Sequence, residues 1–351
     1  MPTPPAVLIS VGTANPPQRY TQQDLLDRFG VSDAKVAAVF TNSHIDHRHL
    51  YLPDGEPSSE TQGELLERHR SGALDMGVRA ITRCLEETGL DVRDIDYLCC
   101  VTTTGFLCPG ISALLVAELG LRPDVSRSDI VGMGCNAGLN GLNPVAAWSA
   151  ANPGRYALML CVEVCSAAYV WDGSMRSAVV NALFGDGAAA VLVGTSAPAG
   201  LADRPLPKVL GFSSQVLAGN LSAMRFDWDH VQAKYSFYLD PLIPYVIGAN
   251  VATPVLRLLG EHGLKPDDID HWVVHSGGKK VIDGVKYNLD LTDHELRHTR
   301  SVLRDHGNLS SGSFLFSYGR LLAEGTVQTG DYGVMMTMGP GTTIETALVR
   351  W

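Results

Sequence analysis

Charge is the first thing this chain is short of. Asp, Glu, Lys and Arg make up 18% of its 351 residues, and Lys and Arg never run longer than a pair. With a net charge of −10, a nucleic-acid surface is not expected. Cysteine is present, but not in the patterns that staple a fold. The seven are Cys84, Cys99, Cys100, Cys108, Cys135, Cys161 and Cys165, an odd number, mostly inside apolar runs and with no CxxC pair. That excludes a disulfide framework and a structural zinc knuckle. The start, MPTPPAVLISVGTANPP, is broken by proline and has no basic segment ahead of an apolar core, so no signal peptide is expected. No apolar stretch is read as membrane-spanning, and the cytoplasm is the expected location.

What is there is a large core. Hydrophobic residues make up 45%, and the length exceeds the usual single domain. Apolar runs predict strands at Ala6–Val11, Ile95–Thr103, Ile130–Met133, Tyr156–Val164, Ala188–Val193, Val209–Val216 and Ile269–His275. A final antiparallel pair is expected at Tyr332–Met338 and Thr343–Val349. Helical patterns follow Thr21, cover 60–90, 111–120, 242–263, 279–289 and 292–305, and resume after Gly307. Residues 196–207, SAPAGLADRPLP, read as a linker between halves 1–195 and 208–351. The order of elements repeats across it, which predicts a duplicated α/β fold.

The most informative stretch is SDIVGMGCNAGLNGLN, residues 128–143. A strand runs into Gly134, and Cys135 sits where a helix starts, a place that favours a thiolate. A small buried apolar cysteine explains the same residue equally well. Pro144 should kink the helix or cost it a hydrogen bond.

Three chemistries compete. Gly132, Gly134 and Ala137 fit GxGxxA, with Glu163 at the end of the next strand, the fingerprint of a dinucleotide site. His294, Glu295 and His298 spell HExxH, and His44, His47 and His49 crowd one loop, both of which invite a metal. Neither has a third ligand at the right spacing, so no metal is expected. The third set is Cys135, His275 at a strand end before Ser276-Gly277-Gly278, and Asn308 just before a helix. A Cys–His pair suits thioester exchange, and two N–H donors can hold an enolate oxygen.

GCNAG, LFGDGAA, HSGGKKVID, GNLSSGS and GPGTTIET, in that order, resemble the type III polyketide synthases of the thiolase superfamily, from about Val7 onward. Within them, GMGCNAGLNGLNPVAAW, CSAAYVWDGSMRSAVVN and RDHGNLSSGSFLFSYGRLL resemble the bacterial 3,5-dihydroxyphenylacetyl-CoA synthases of glycopeptide-antibiotic pathways. The resemblance implies a five-layered αβαβα fold, a homodimer and no cofactor beyond coenzyme A thioesters. It implies condensation of malonyl-CoA, four units with malonyl as both starter and extender, then ring closure and dehydration, with helper proteins conceivable for the last steps. Cys135 would be the nucleophile, with His275 keeping it a thiolate; His275 and Asn308 would stabilise the enolate. Phe184 and Phe237 match two gatekeeping phenylalanines. Thr103, Thr104, Ala168 and Ser310 match positions that shape the growing chain's cavity, and Cys108 one that reaches into the partner's. Of the family's basic cluster for coenzyme A only Lys35 is retained, so Lys279 and Lys280, beside Gly277 and Gly278, are expected to substitute. Other readings are a sister synthase that makes tetrahydroxynaphthalene from five units, and a silent acyl-CoA-binding scaffold.

Overall fold

The computed structural model describes residues 4–55, 59–201 and 204–351. Nine strands form one continuous hydrogen-bonded sheet. The first half supplies β1 (Val7–Ala14), β4 (Ile95–Thr102), β5 (Ser126–Val131), β6 (Tyr156–Glu163) and β7 (Gly187–Gly194). The second supplies β8 (Lys208–Val216), β11 (His271–Val274), β12 (Tyr332–Gly339) and β13 (Thr343–Arg350). Their order is β11-β12-β13-β8-β1-β7-β6-β4-β5. In each half a parallel pair (β4 with β6, β11 with β12) is followed by two antiparallel steps, through β7 to β1 and through β13 to β8. The duplication inferred from element order is therefore a duplication of topology. Only β5 has no counterpart among the described residues of the second half.

Side-chain alternation along these strands creates three interiors. Cys99, Val101, Met159 and Met335 face one cluster, filled by helices α5 (Ala137–Ala151) and α11 (Ser313–Glu324). Leu98, Cys100 and Leu160 face the opposite way, onto α3 (Gln62–Leu85) and α4 (Ile111–Leu119). In the second half Trp272, Val274 and Met336 face α7 (Ile243–Asn250), α8 (Ala252–Glu261), α9 (Lys279–Asn288) and α10 (Arg297–His306). The result is helix, sheet, helix, sheet, helix, the expected five layers. Strands covered on both faces need apolar residues at every position, which is why their sequences do not alternate. A cap made of the short pair β2 (Arg19–Thr21) and β3 (His47–His49) with α1 (Gln22–Arg28), α2 (Ala34–Thr41) and α6 (Met175–Leu183) closes one end. A hairpin, β9 (Met224–Asp229) and β10 (Lys234–Leu239), lies beside it.

Several expectations change. The strand before Cys135 is not buried. It pairs only with β4 at the sheet edge, leaving Val131 41% and Met133 38% exposed. The stretch 292–305 is not one helix, since α10 starts at Arg297. Contrary to the reading of apolar runs, Ile243–Glu261 is long and apolar enough by composition to cross a membrane. Here it folds as α7 and α8, which bury Ile247, Val255, Leu258 and Leu259 in the core. Pro144 lies inside α5, which continues through it. Helices α2 and α6 and the β9–β10 hairpin went unrecognised, because their short polar-apolar mixtures have no clear period.

Candidate active site

Cys135 is held by a tight turn pinned from both sides. Gly134 has φ +77°, a conformation that L side chains rarely adopt, and opens one 3-10 turn, Gly134–Asn136, that feeds α5. Its N–H donates to Thr103 Oγ1 at 3.0 Å. The C-terminal loop leans on the same turn. A Cβ on Gly134 would lie 2.2 Å from Pro340 Cδ, and one on Gly339 would lie 2.8 Å from the Cys135 nitrogen. The turn thus has room for glycine alone.

His275 continues β11, its N–H donating to Met336 O at 2.8 Å, and Gly277 N–H donates back to His275 O at 2.9 Å. The imidazole is buried, and Nδ1 has no partner among the described residues. Asn308 is tied to the segment that carries Phe184. Its N–H donates to Leu183 O and its carbonyl accepts from Gly185 N–H, both at 2.9 Å. Asn308 Oδ1 accepts the Ser310 N–H at 2.8 Å, which leaves the amide nitrogen as the donor available to a ligand.

These three side chains line one cavity of about 600 Å3. Phe184, Phe237, Gly277, Gly278, Lys279 and Lys280 line it too. The two phenylalanine rings meet edge to face at 5.9 Å. Tyr169, 4.7 Å from Phe184, and Phe226, 4.9 Å from Phe237, complete an aromatic wall that sequence reasoning had not assembled. Its signal was the aromatic-rich stretch 224–238. Lys279 Nζ is paired with Asp283 Oδ2 at 2.8 Å. Lys35 is exposed on α2 and does not line the cavity.

Thr103, Thr104 and Ser310 do not line this cavity; they stand behind it. They converge on Glu163, which is fully buried at the end of β6. Glu163 Oε2 accepts N–H bonds from Thr103 at 2.9 Å and Thr104 at 3.2 Å, while Oε1 accepts the hydroxyls of Ser310 at 3.2 Å and Ser311 at 2.5 Å. Burial pushes this carboxyl above its usual range, against the hydrogen bonds of Ser311 and the Thr103 amide. An acid enclosed by hydroxyls cannot hold a ribose at a cleft, so the dinucleotide reading fails. Ala168 is buried outside the cavity lining, and Cys108 is exposed on the loop beyond β4.

The HExxH residues do not converge either. His294 lies in the turn before α10. Glu295 Oε2 accepts the Thr292 N–H and hydroxyl at 2.6 Å each, and His298 Nε2 lies 3.1 Å from Glu324 Oε2. His47 Nδ1 is 2.7 Å from Arg19 Nη2, and His49 Nδ1 is 2.7 Å from Pro16 O. No group of metal-ligating side chains occurs among the described residues.

The thiolate expected from the sequence is opposed by the site. Burial pushes the Cys135 thiol up to about 12, despite help from the Ser310 hydroxyl and the Asn308 carboxamide. Burial also lowers the His275 imidazole to about 3. Burial thus disfavours a charge on either group. Below a raised pKa the thiolate fraction grows about tenfold per pH unit. Iodoacetamide inactivation of the substrate-free protein is therefore expected to accelerate steadily from pH 6 to pH 9. A rate that is flat across that range would show a preformed ion pair.

Sequence comparison agrees with this geometry. The family description "Chalcone and stilbene synthases, N-terminal domain" matches residues 2–198, and "Chalcone and stilbene synthases, C-terminal domain" matches 213–351. A 3,5-dihydroxyphenylacetyl-CoA synthase of Streptomyces toyocaensis is 57% identical over 358 residues, covering 100% of this chain and 92% of that protein. One from Amycolatopsis balhimycina is 57% identical over 345 residues, covering 97% and 92%. The crystal structure of PKS-I from the brown alga Ectocarpus siliculosus superposes with a TM-score of 0.91 at 26% identity, covering 100% of this chain and 99% of that one.

Proposed function

The chain belongs to the chalcone and stilbene synthase family, and from that membership we propose that it is a 3,5-dihydroxyphenylacetyl-CoA synthase, condensing malonyl-CoA on Cys135. The observation that carries the reading is the meeting of Cys135, His275 and Asn308 in one cavity walled by Phe184 and Phe237. In the loading step, Cys135 Sγ attacks the thioester carbonyl of a malonyl-CoA. His275 takes the thiol proton and returns it to the departing coenzyme A sulfur. In the extension step, the carbonyl oxygen of the next malonyl-CoA accepts N–H bonds from neutral His275 and from the Asn308 amide. Loss of CO2 leaves its electron pair on the α-carbon as an enolate, with the negative charge on the oxygen those donors hold. The α-carbon attacks the Cys135 thioester, and Sγ leaves. The aromatic wall keeps water from quenching the enolate. Each condensation leaves the lengthened chain on coenzyme A, and its transfer back to Sγ, releasing free coenzyme A, opens the next extension. Four malonyl units, the starter included, each lose CO2 to give an eight-carbon chain, and ring closure with loss of water gives the product. No cofactor takes part.

The mouth is proposed to hold coenzyme A through Lys279 and Lys280, the cations lining the same cavity. Lys279→Ala should raise the malonyl-CoA KM several-fold and leave kcat unchanged; an unchanged KM removes Lys279 from this role. A homodimer is proposed through the β5 edge, where Val131 and Met133 are exposed, together with the loop beyond β4, which exposes Phe106 (74%) and Cys108. Exposed apolar side chains at an unpaired sheet edge favour a second copy there. Helper proteins for dehydration are a further proposal. The deciding assay is radiolabelled malonyl-CoA with the purified chain. Release of CO2 and a dihydroxyphenylacetyl product mass are expected. A five-unit naphthalene product would shift the reading to the sister synthase, and a pyrone alone would remove the ring assignment. Bound malonyl-CoA that is never turned over would leave only a scaffold.

A further inference from the structure

Arg48, in the middle of β3, is 1% exposed, and no carboxylate pairs with it among the described residues; Asp186 favours its charge only through space. A guanidinium buried in this way weakens a fold unless its donors are met. Nη1 donates at 2.6 Å to the carbonyl of Phe184, the cap residue of α6. Nη2 donates to Gln22 Oε1 at 2.9 Å, and Gln22 Nε2 donates in turn to Ala182 O at 2.9 Å. Both routes end on carbonyls at the C-terminus of α6, where a helix leaves acceptors unpaired and its dipole favours a cation.

The same side chain bears on the segment that carries Asn308. Phe184 and Asn308 form an isolated bridge, made by the Asn308 N–H to Leu183 O and the Gly185 N–H to Asn308 O. A Cβ on Gly307 would lie 2.6 Å from Leu183 O and 2.8 Å from Arg48 Cδ. The arginine stem is thus packed against the backbone immediately before Asn308. Arg48 touches both segments that the bridge joins and does not itself line the cavity.

We infer that Arg48 is a positioning residue for condensation: its fork fixes the end of α6 and its stem fixes Gly307, which together hold the Phe184 ring and the Asn308 amide in place across the cavity. It acts through those two groups and touches no substrate. The bonds and the packing stand on the geometry; the consequence for catalysis rests on the function proposed above. A loosened Phe184 admits water, and an enolate that takes a proton leaves as acetyl-CoA without joining the chain. CO2 is then released with no product to match it.

Two variants test this in the full chain. Arg48→Met keeps most of the stem and removes the fork, and Arg48→Lys keeps a charged donor without the fork. Labelled malonyl-CoA gives the CO2 released per product formed, and hydrogen exchange gives the opening of the Gly185 and Asn308 amides. A smaller folded fraction lowers CO2 and product alike, so their ratio reports the site and is blind to stability. In Arg48→Met the ratio is expected to rise at least twofold, with acetyl-CoA as the extra product. The two amides should exchange at least tenfold faster while those of β7 keep the wild-type rate. Arg48→Lys should fall between wild type and Arg48→Met. A folded Arg48→Met with the wild-type ratio, or with wild-type exchange at both amides, overturns the inference. Should Arg48→Met fail to fold, Arg48→Lys carries both readouts. If the wild type makes no polyketide, the enzymatic reading falls, and exchange at Gly185 and Asn308 alone decides whether Arg48 holds the bridge.

Discussion

Replacing Cys135 by alanine is expected to abolish polyketide formation and leave the fold intact. The thiol is the only group in the proposed cycle that holds the growing chain, so no other residue can carry the acyl group between condensations. A loss on the order of 10^4-fold or more follows, as for other enzymes deprived of their nucleophile. The structural cost is small. The side chain is already buried, and deleting one sulfur should cost about 1 kcal/mol. Decarboxylation behaves differently, because its donors are His275 and Asn308. The variant should still release CO2 slowly from malonyl-CoA and accumulate acetyl-CoA. Labelled malonyl-CoA followed by chromatography reads both outcomes at once. Wild-type condensation in the Cys135→Ala protein would remove Cys135 from the mechanism.

Gly134→Ala is the second large effect, with the opposite balance of fold and chemistry. A non-glycine residue at φ +77° carries a backbone penalty of about 1–2 kcal/mol. The added methyl would also stand 2.2 Å from Pro340 Cδ, part of a rigid ring that cannot swing away. Overpacking of this kind typically costs about 1–3 kcal/mol more. Relief requires the turn or the Pro340 loop to shift, and Cys135 is the next residue. Misplacement by about 1 Å is enough for a rate loss of roughly 10^2-fold. Expected results are a Tm lowered by several degrees and a kcat loss of at least that size, the protein still folded by circular dichroism. A variant with wild-type kcat would mean that this turn does not set the position of the sulfur.

The residues that make these predictions were legible early because each sits at a break in pattern. Cys135 follows an apolar run and a glycine; His275 ends another run before two glycines; Asn308 precedes a helix. Such breaks mark strand ends, and in this fold the strand ends converge on the cavity. The layers were legible for a related reason, since a strand buried on both faces reads as an unbroken apolar run. Exposure along β5 was misjudged because the strand was read from the short apolar run Ile130–Met133, whereas β5 is the mostly polar Ser126–Val131 with a single neighbour. Glu163 was misread because a strand-end acid fits a short fingerprint, and the hydroxyls that enclose it come from Ser310 and Ser311, far away in sequence. The HExxH spacing assumed a helix that begins three residues later than the motif. The direction in which burial shifts the Cys135 thiol was out of reach too, since no spacing encodes burial.

The nucleophile and the groups that activate it come from opposite halves of the chain, Cys135 from the first and His275 and Asn308 from the second. A ribosome makes the sulfur long before its partners. Until residue 308 has been added and both halves have closed, the thiol has no base beside it and no oxygen-binding donors. Catalysed acylation and condensation therefore appear only in a finished molecule.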